Sequence, residues 1–113
     1  MQHYQLADLE ARRAATGRMY LEFLRVPALS CGLYTLPSGS VDPQQPHSED
    51  EVYVIMQGKG QIRVGDEDMQ VEAGAVVYVA AHVEHRFHSI EEELQILVLF
   101  APAEYSQSNQ PRS

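Results

Sequence analysis

The sequence predicts an all-β sandwich or barrel with one short helix in front of it. Three observations carry that expectation. From Arg18 onward, apolar and polar residues alternate with a period of two. Turn-forming clusters break the alternation at short intervals: Pro37-Ser38-Gly39, Gly58-Lys59-Gly60, Gly65-Asp66-Glu67-Asp68, Ala73-Gly74, Ala80-Ala81-His82 and Glu91-Glu92-Glu93. Only residues 5–15 follow a helical pattern.

In chain order, the helix at 5–15 places Leu6, Leu9 and Arg13 on one face, and Gly17 stands at its C-terminal cap. Strands are expected at 19–24 and 29–36, broken at Pro27. After a proline-rich loop at 43–46, further strands are expected at 51–57, 60–64, 69–72, 76–79, 85–89 and 94–100. Many short strands at this spacing mean a sandwich or barrel. This divides the chain into a helical extension at 1–17, a barrel at 18–101 and a flexible tail at 102–113, where prolines and a Ser/Gln/Asn run take over.

Composition narrows the function classes. A chain of 113 residues has room for one domain with its own core. A net charge of -8 argues against nucleic acid and against an anionic membrane surface, both of which call for lysine and arginine. The single Cys31 excludes an internal disulfide and reads as a small buried hydrophobe. No apolar run has the length of a membrane span, and Met1 is not followed by the basic-then-apolar plan of a signal peptide. The expected compartment is the cytoplasm.

The chemistry lies in two stretches. Residues 39–58 place Gln45, His47 and Glu51 just ahead of an apolar run. About thirty residues on, His82, His85 and His88 crowd a second strand-like segment. Imidazole and carboxylate are the ligands that divalent transition metals take. The spacing resembles the cupin superfamily, in particular its small single-domain members. The first cupin motif is Gly, five residues, His-x-His, three or four residues, Glu, six residues, Gly. Gly39, Gln45-Pro46-His47, Glu51 and Gly58 meet each interval, with Gln45 where the first histidine belongs. The second motif is Gly, five residues, Pro-x-Gly, two residues, His, three residues, Asn. Gly74 and His85 keep its residues, while Ala80, His82 and Ser89 replace Pro, Gly and Asn.

The resemblance covers roughly residues 18–101. It implies an antiparallel jelly-roll β-barrel with a divalent transition metal (iron, manganese, nickel, zinc or copper) in its mouth, often as a homodimer. It also implies the metal set His47, Glu51 and His85, with Gln45 as the fourth position. Strand alternation agrees, turning Glu51, Tyr53 and Ile55 one way, and His85, Phe87 and Ser89 one way. Gln45 has three open readings: a weak amide ligand, a hydrogen bond to a metal-bound water, or no part in the site. Tyr34, Tyr53, Phe87 and Ser89 are the expected substrate-binding walls. His88 and Arg86 fall on the opposite face, as a surface histidine and an ion-pair partner, and His82 sits in the turn.

The expected function is a metal site that binds a small oxygen-donor molecule, with dioxygenase chemistry if the metal is iron(II). A sensor or binding barrel without turnover, a barrel that has lost its metal, and a metal-dependent isomerase or lyase stand as alternatives.

Overall fold

The computed structural model describes residues 1–43 and 46–105. One helix, α1 (Leu6–Thr16), precedes six strands: β1 (Tyr20–Val26), β2 (Leu29–Leu36), β3 (Asp50–Val64), β4 (Glu67–Glu72), β5 (Val76–Val79) and β6 (His85–Ala101). Gly17 ends α1 in the left-handed conformation, with its N–H bonded to the Ala14 carbonyl. The helix docks through Leu9, which is 2% exposed, whereas Leu6 on the expected apolar face is 48% exposed. Among the described residues no helix is long and apolar enough to cross a membrane.

All strand pairing is antiparallel, in the order β1-β2-β6-β3-β4, with β5 on the flank of β3. The central pair, β3 with β6, carries the architecture. Glu51 pairs with Phe100 at one end of that ladder, and Val64 pairs with His85 at the other. Val64 lies thirteen steps along the chain from Glu51, which in a flat strand is roughly 43 Å. Yet Glu51 and His85 lie 3.0 Å apart. The ribbon must therefore fold over, and its register shifts between Ile55 and Gln61 are where it does. The inner faces enclose Tyr53, Ile55, Ile62, Phe87, Leu94, Ile96 and Phe100. Tyr53 and Phe87 meet edge to face at 4.9 Å in the centre.

Two expected turns are not turns. Gly58-Lys59-Gly60 and Glu91-Glu92-Glu93 both lie inside strands, and Lys59 pairs with Glu92 across the ladder. Bulged backbone uses the residues that turns use, so composition alone reads the fold-over as two chain reversals. The second bulge also overturns the facing of Ser89. Its φ of 50° breaks the pleat, so Ser89 is exposed and Ile90 takes the inward position. Within the expected tail, Ala103 and Glu104 are buried against the barrel; residues 106–113 lie outside the described residues.

Gly58 makes the fold-over possible. Its φ is 99°, and a Cβ there would sit 2.0 Å from the Glu93 carbonyl oxygen. Gly39 shares the positive φ (74°) but faces nothing within 4 Å. Gly39→Ala should cost roughly 1–2 kcal/mol, the left-handed penalty alone. Gly58→Ala should cost at least about twice that, because backbone must also move. Urea unfolding of the two variants checks the order; equal losses would mean that β3 is not pinned at Gly58.

Candidate metal centre

Three side chains converge where the folded ribbon closes. Glu51 is the second residue of β3 and points inward between Val79 of β5 and Phe100 of β6 on the ladder. His85 opens β6 directly after the turn that leaves β5. His47 arrives from the loop before β3, where its carbonyl accepts the His82 N–H at 2.7 Å. Its ring is flanked by Phe100 and Tyr105, at 4.7 and 5.4 Å. All three residues are buried.

His85 Nδ1 lies 2.9 Å from the Val83 carbonyl and can only be a donor there, which turns Nε2 toward Glu51 Oε1 at 3.0 Å. His47 Nε2 lies 2.9 Å from Glu104 Oε2, and its Nδ1 faces Glu51 Oε1 at 3.8 Å. His47 Nδ1, His85 Nε2 and both Glu51 oxygens are buried without a hydrogen bond to any described residue. A buried carboxylate with no compensating partner costs several kcal/mol, roughly. Burial by itself lowers the basicity of His85, but Glu51 and the Val83 carbonyl outweigh it and hold its pKa above the ordinary histidine value. A proton on His85 is thus one answer to the Glu51 charge, and a cation shared by all three side chains is the other.

The donor set fits a metal. One ligand atom from each of His47, Glu51 and His85 lies within 4.8 Å of the other two. Ligand atoms about 2.0–2.2 Å from a common ion stand roughly 3–4 Å apart. Two of the three separations already do so. Two imidazoles and one carboxylate suit iron, manganese, nickel, zinc or copper and leave coordination positions open.

The other expected site residues separate into groups. Gln45 lies outside the described residues. Tyr34 lines the adjoining cavity and donates its hydroxyl to the buried Asp42 at 2.6 Å. Burial, with Asp42 beside it, pushes that hydroxyl far above the ordinary tyrosine range, so it stays protonated. Tyr53 and Phe87 are fully buried core, stacked behind His85 and not in the cavity wall. Ser89 is on the outer surface and does not line the adjoining cavity, for the reason given above. His88 is also outside the cluster, with Nε2 2.6 Å from Asp68. Arg86 is exposed and lies opposite Arg63 on the ladder, with no ion pair to a described residue. His82 contributes backbone: its φ of 68° is a conformation glycine adopts without strain, which is what the family motif places there. Burial pushes the Cys31 thiol up, in keeping with an inert residue.

Three buried acids near the cluster carry no site signal in the sequence. Asp42 accepts from the Tyr34 hydroxyl and from the Phe87 N–H, tying the loop to both halves of the barrel. Glu49 accepts from the Ser48 hydroxyl and the Tyr105 N–H. Glu104 reaches His47 from beyond β6. A lone acid in a polar loop carries no periodicity, so nothing local in the sequence marks these three.

A cavity of about 490 Å³ opens beside His47, within the size range of small-molecule sites. Val98, Phe100, Tyr34 and Met19 give it an apolar wall, and Arg18 and Glu104 give it charge.

Fold and site together define a cupin, and the family model for the cupin domain matches residues 32–101. The chain belongs to that family. It is 50% identical over 104 residues to the uncharacterized protein SCO3923 of Streptomyces coelicolor, covering 92% of this chain and 99% of that one. Among solved structures it resembles TT1209 from Thermus thermophilus (TM-score 0.72, 22% identity, 91% of this chain and 99% of that one). It also resembles an RmlC-like cupin of double-stranded β-helix fold from Methanocaldococcus jannaschii (TM-score 0.67, 20% identity, 74% of this chain and 78% of that one).

Proposed function

We propose that this cupin holds a divalent transition metal on His47, Glu51 and His85 and uses it to bind a small oxygen-donor molecule from the adjoining cavity. The observation that carries this reading is the convergence of buried, unbonded lone-pair atoms from three separate segments. Such a molecule would lay its apolar part along Val98, Phe100 and Tyr34 and bring its oxygens toward the His47 edge of the cluster. Iron(II) in the site would supply dioxygen chemistry, and the other candidate ions would supply Lewis-acid polarisation of a carbonyl. The chain's own part is to fix the imidazole tautomers, exclude water and orient the ligand.

A second reading, binding without turnover, draws support from the cavity wall. Glu104 is engaged with His47, and Tyr34 with Asp42. Both are committed to positioning other groups, so neither stands ready as a general base. Incubating the loaded protein with a ligand found to bind, and asking whether it is recovered unchanged, separates the two readings.

The metal assignment has a direct test. Calorimetric titration of chelator-stripped protein with zinc or manganese should give one ion per chain. His47→Ala and His85→Ala should each abolish that stoichiometry, along with the rise in melting temperature that accompanies binding. His88→Ala should bind as the parent does. Loss of the ion in His88→Ala to the same degree as in His85→Ala would place the site on the outer face.

We also propose that the chain associates as a homodimer in a cytoplasmic setting. β1 ends the sheet with one edge paired to no described strand and with Val26 exposed, and a two-fold pairing covers such an edge. Light scattering at micromolar concentration should report twice the chain mass; the single-chain mass would refute the dimer.

A further inference from the structure

Glu104 lies outside the cupin motifs, in the segment that follows β6. It is buried, and its side chain ends 2.9 Å from His47 Nε2. The backbone around it is clamped. Its N–H donates to Ser30 Oγ at 2.9 Å, and its carbonyl accepts from Arg25 Nη2 at 2.9 Å. The next residue, Tyr105, donates its N–H to Glu49 Oε1 at 2.8 Å. Contacts from β1, β2 and the loop before β3 thus hold one carboxylate against one imidazole edge.

A carboxylate accepts and does not donate, so a hydrogen bond at this distance requires the proton on His47 Nε2. The Nδ1 lone pair is then the one that faces Glu51. We infer that Glu104 is a positioning residue that selects the Nε2–H tautomer of His47 and aims Nδ1 at the cluster. In its metal-binding consequence this rests on the function proposed above; in its tautomer it does not. Carboxylate partners of ligating histidines fix ring orientation and raise ligand basicity, and losing one typically costs about 10–100-fold in metal affinity. The segment after the barrel is therefore part of the site, and it places a negative charge on the far side of His47 from Glu51.

Imidazole nitrogen shifts settle the inference. In metal-free parent protein labelled with ¹⁵N-histidine, His47 should give the Nε2–H pattern. Glu104→Leu removes the acceptor and should release His47 into mixed or Nδ1–H tautomers, with zinc affinity reduced on the order of 10–100-fold. Glu104→Gln keeps an acceptor oxygen and should fall between, so a partial rescue by Gln over Leu is expected. An Nδ1–H pattern in the parent would overturn the inference without any variant. It would equally fail if folded Glu104→Leu bound zinc within about twofold of the parent and kept the parent's His47 shifts. A parent that binds no zinc but shows the Nε2–H pattern would sink the metal reading and leave the tautomer assignment standing.

Discussion

The structure depends on one constraint: the β3–β6 ribbon has to fold over itself. Its ladder ties Glu51 to Phe100 and His85 to Val64, at opposite ends. Only by doubling over can the two starts, Glu51 and His85, come within 3.0 Å. The bulges between Ile55 and Gln61 provide the bend, and Gly58 lets the backbones of β3 and β6 approach there. The same bend wraps Tyr53, Phe87 and Leu94 into one core. Packing and site are consequences of a single distortion, so the residues that look like loop punctuation are the ones that bring His47, Glu51 and His85 together at one end of the barrel.

At that end the fold concentrates lone pairs where it could have placed apolar side chains. Glu51 is 1% exposed, and neither of its oxygens has a hydrogen bond to a described residue. Each imidazole beside it is already committed on its other nitrogen, His85 to the Val83 carbonyl and His47 to Glu104. The orientation of both rings is thus set by protein contacts alone. That arrangement is unfavourable as a bare hydrogen-bonding pattern. It is favourable around a cation, which is why preorganised imidazole–carboxylate clusters are a signature of metal sites.

Much of this was legible in the sequence. Motif spacing encodes how far each side chain sits from a strand start, so His47, Glu51 and His85 were recognisable without coordinates, and the helix and most strands follow from periodicity. What the sequence hid falls into two kinds. Periodicity misplaces Ser89 and the segments Gly58-Lys59-Gly60 and Glu91-Glu92-Glu93, because bulges interrupt the period of two with turn-type residues. Glu104 and Asp42 were missed because their roles exist only after closure. Glu104 meets His47 across 57 residues of chain, and Asp42 meets the Phe87 N–H across 45. Nothing in the residues around either acid announces the partner.

The central claim is that His47, Glu51 and His85 hold one ion in common. Anomalous diffraction at the zinc edge, from crystals of zinc-loaded protein, tests it most directly. The account predicts a single strong peak about 2.0–2.2 Å from His47 Nδ1, a Glu51 oxygen and His85 Nε2. A map with no peak among those atoms, or with the zinc held by His88 and Asp68 on the outer face, would contradict it.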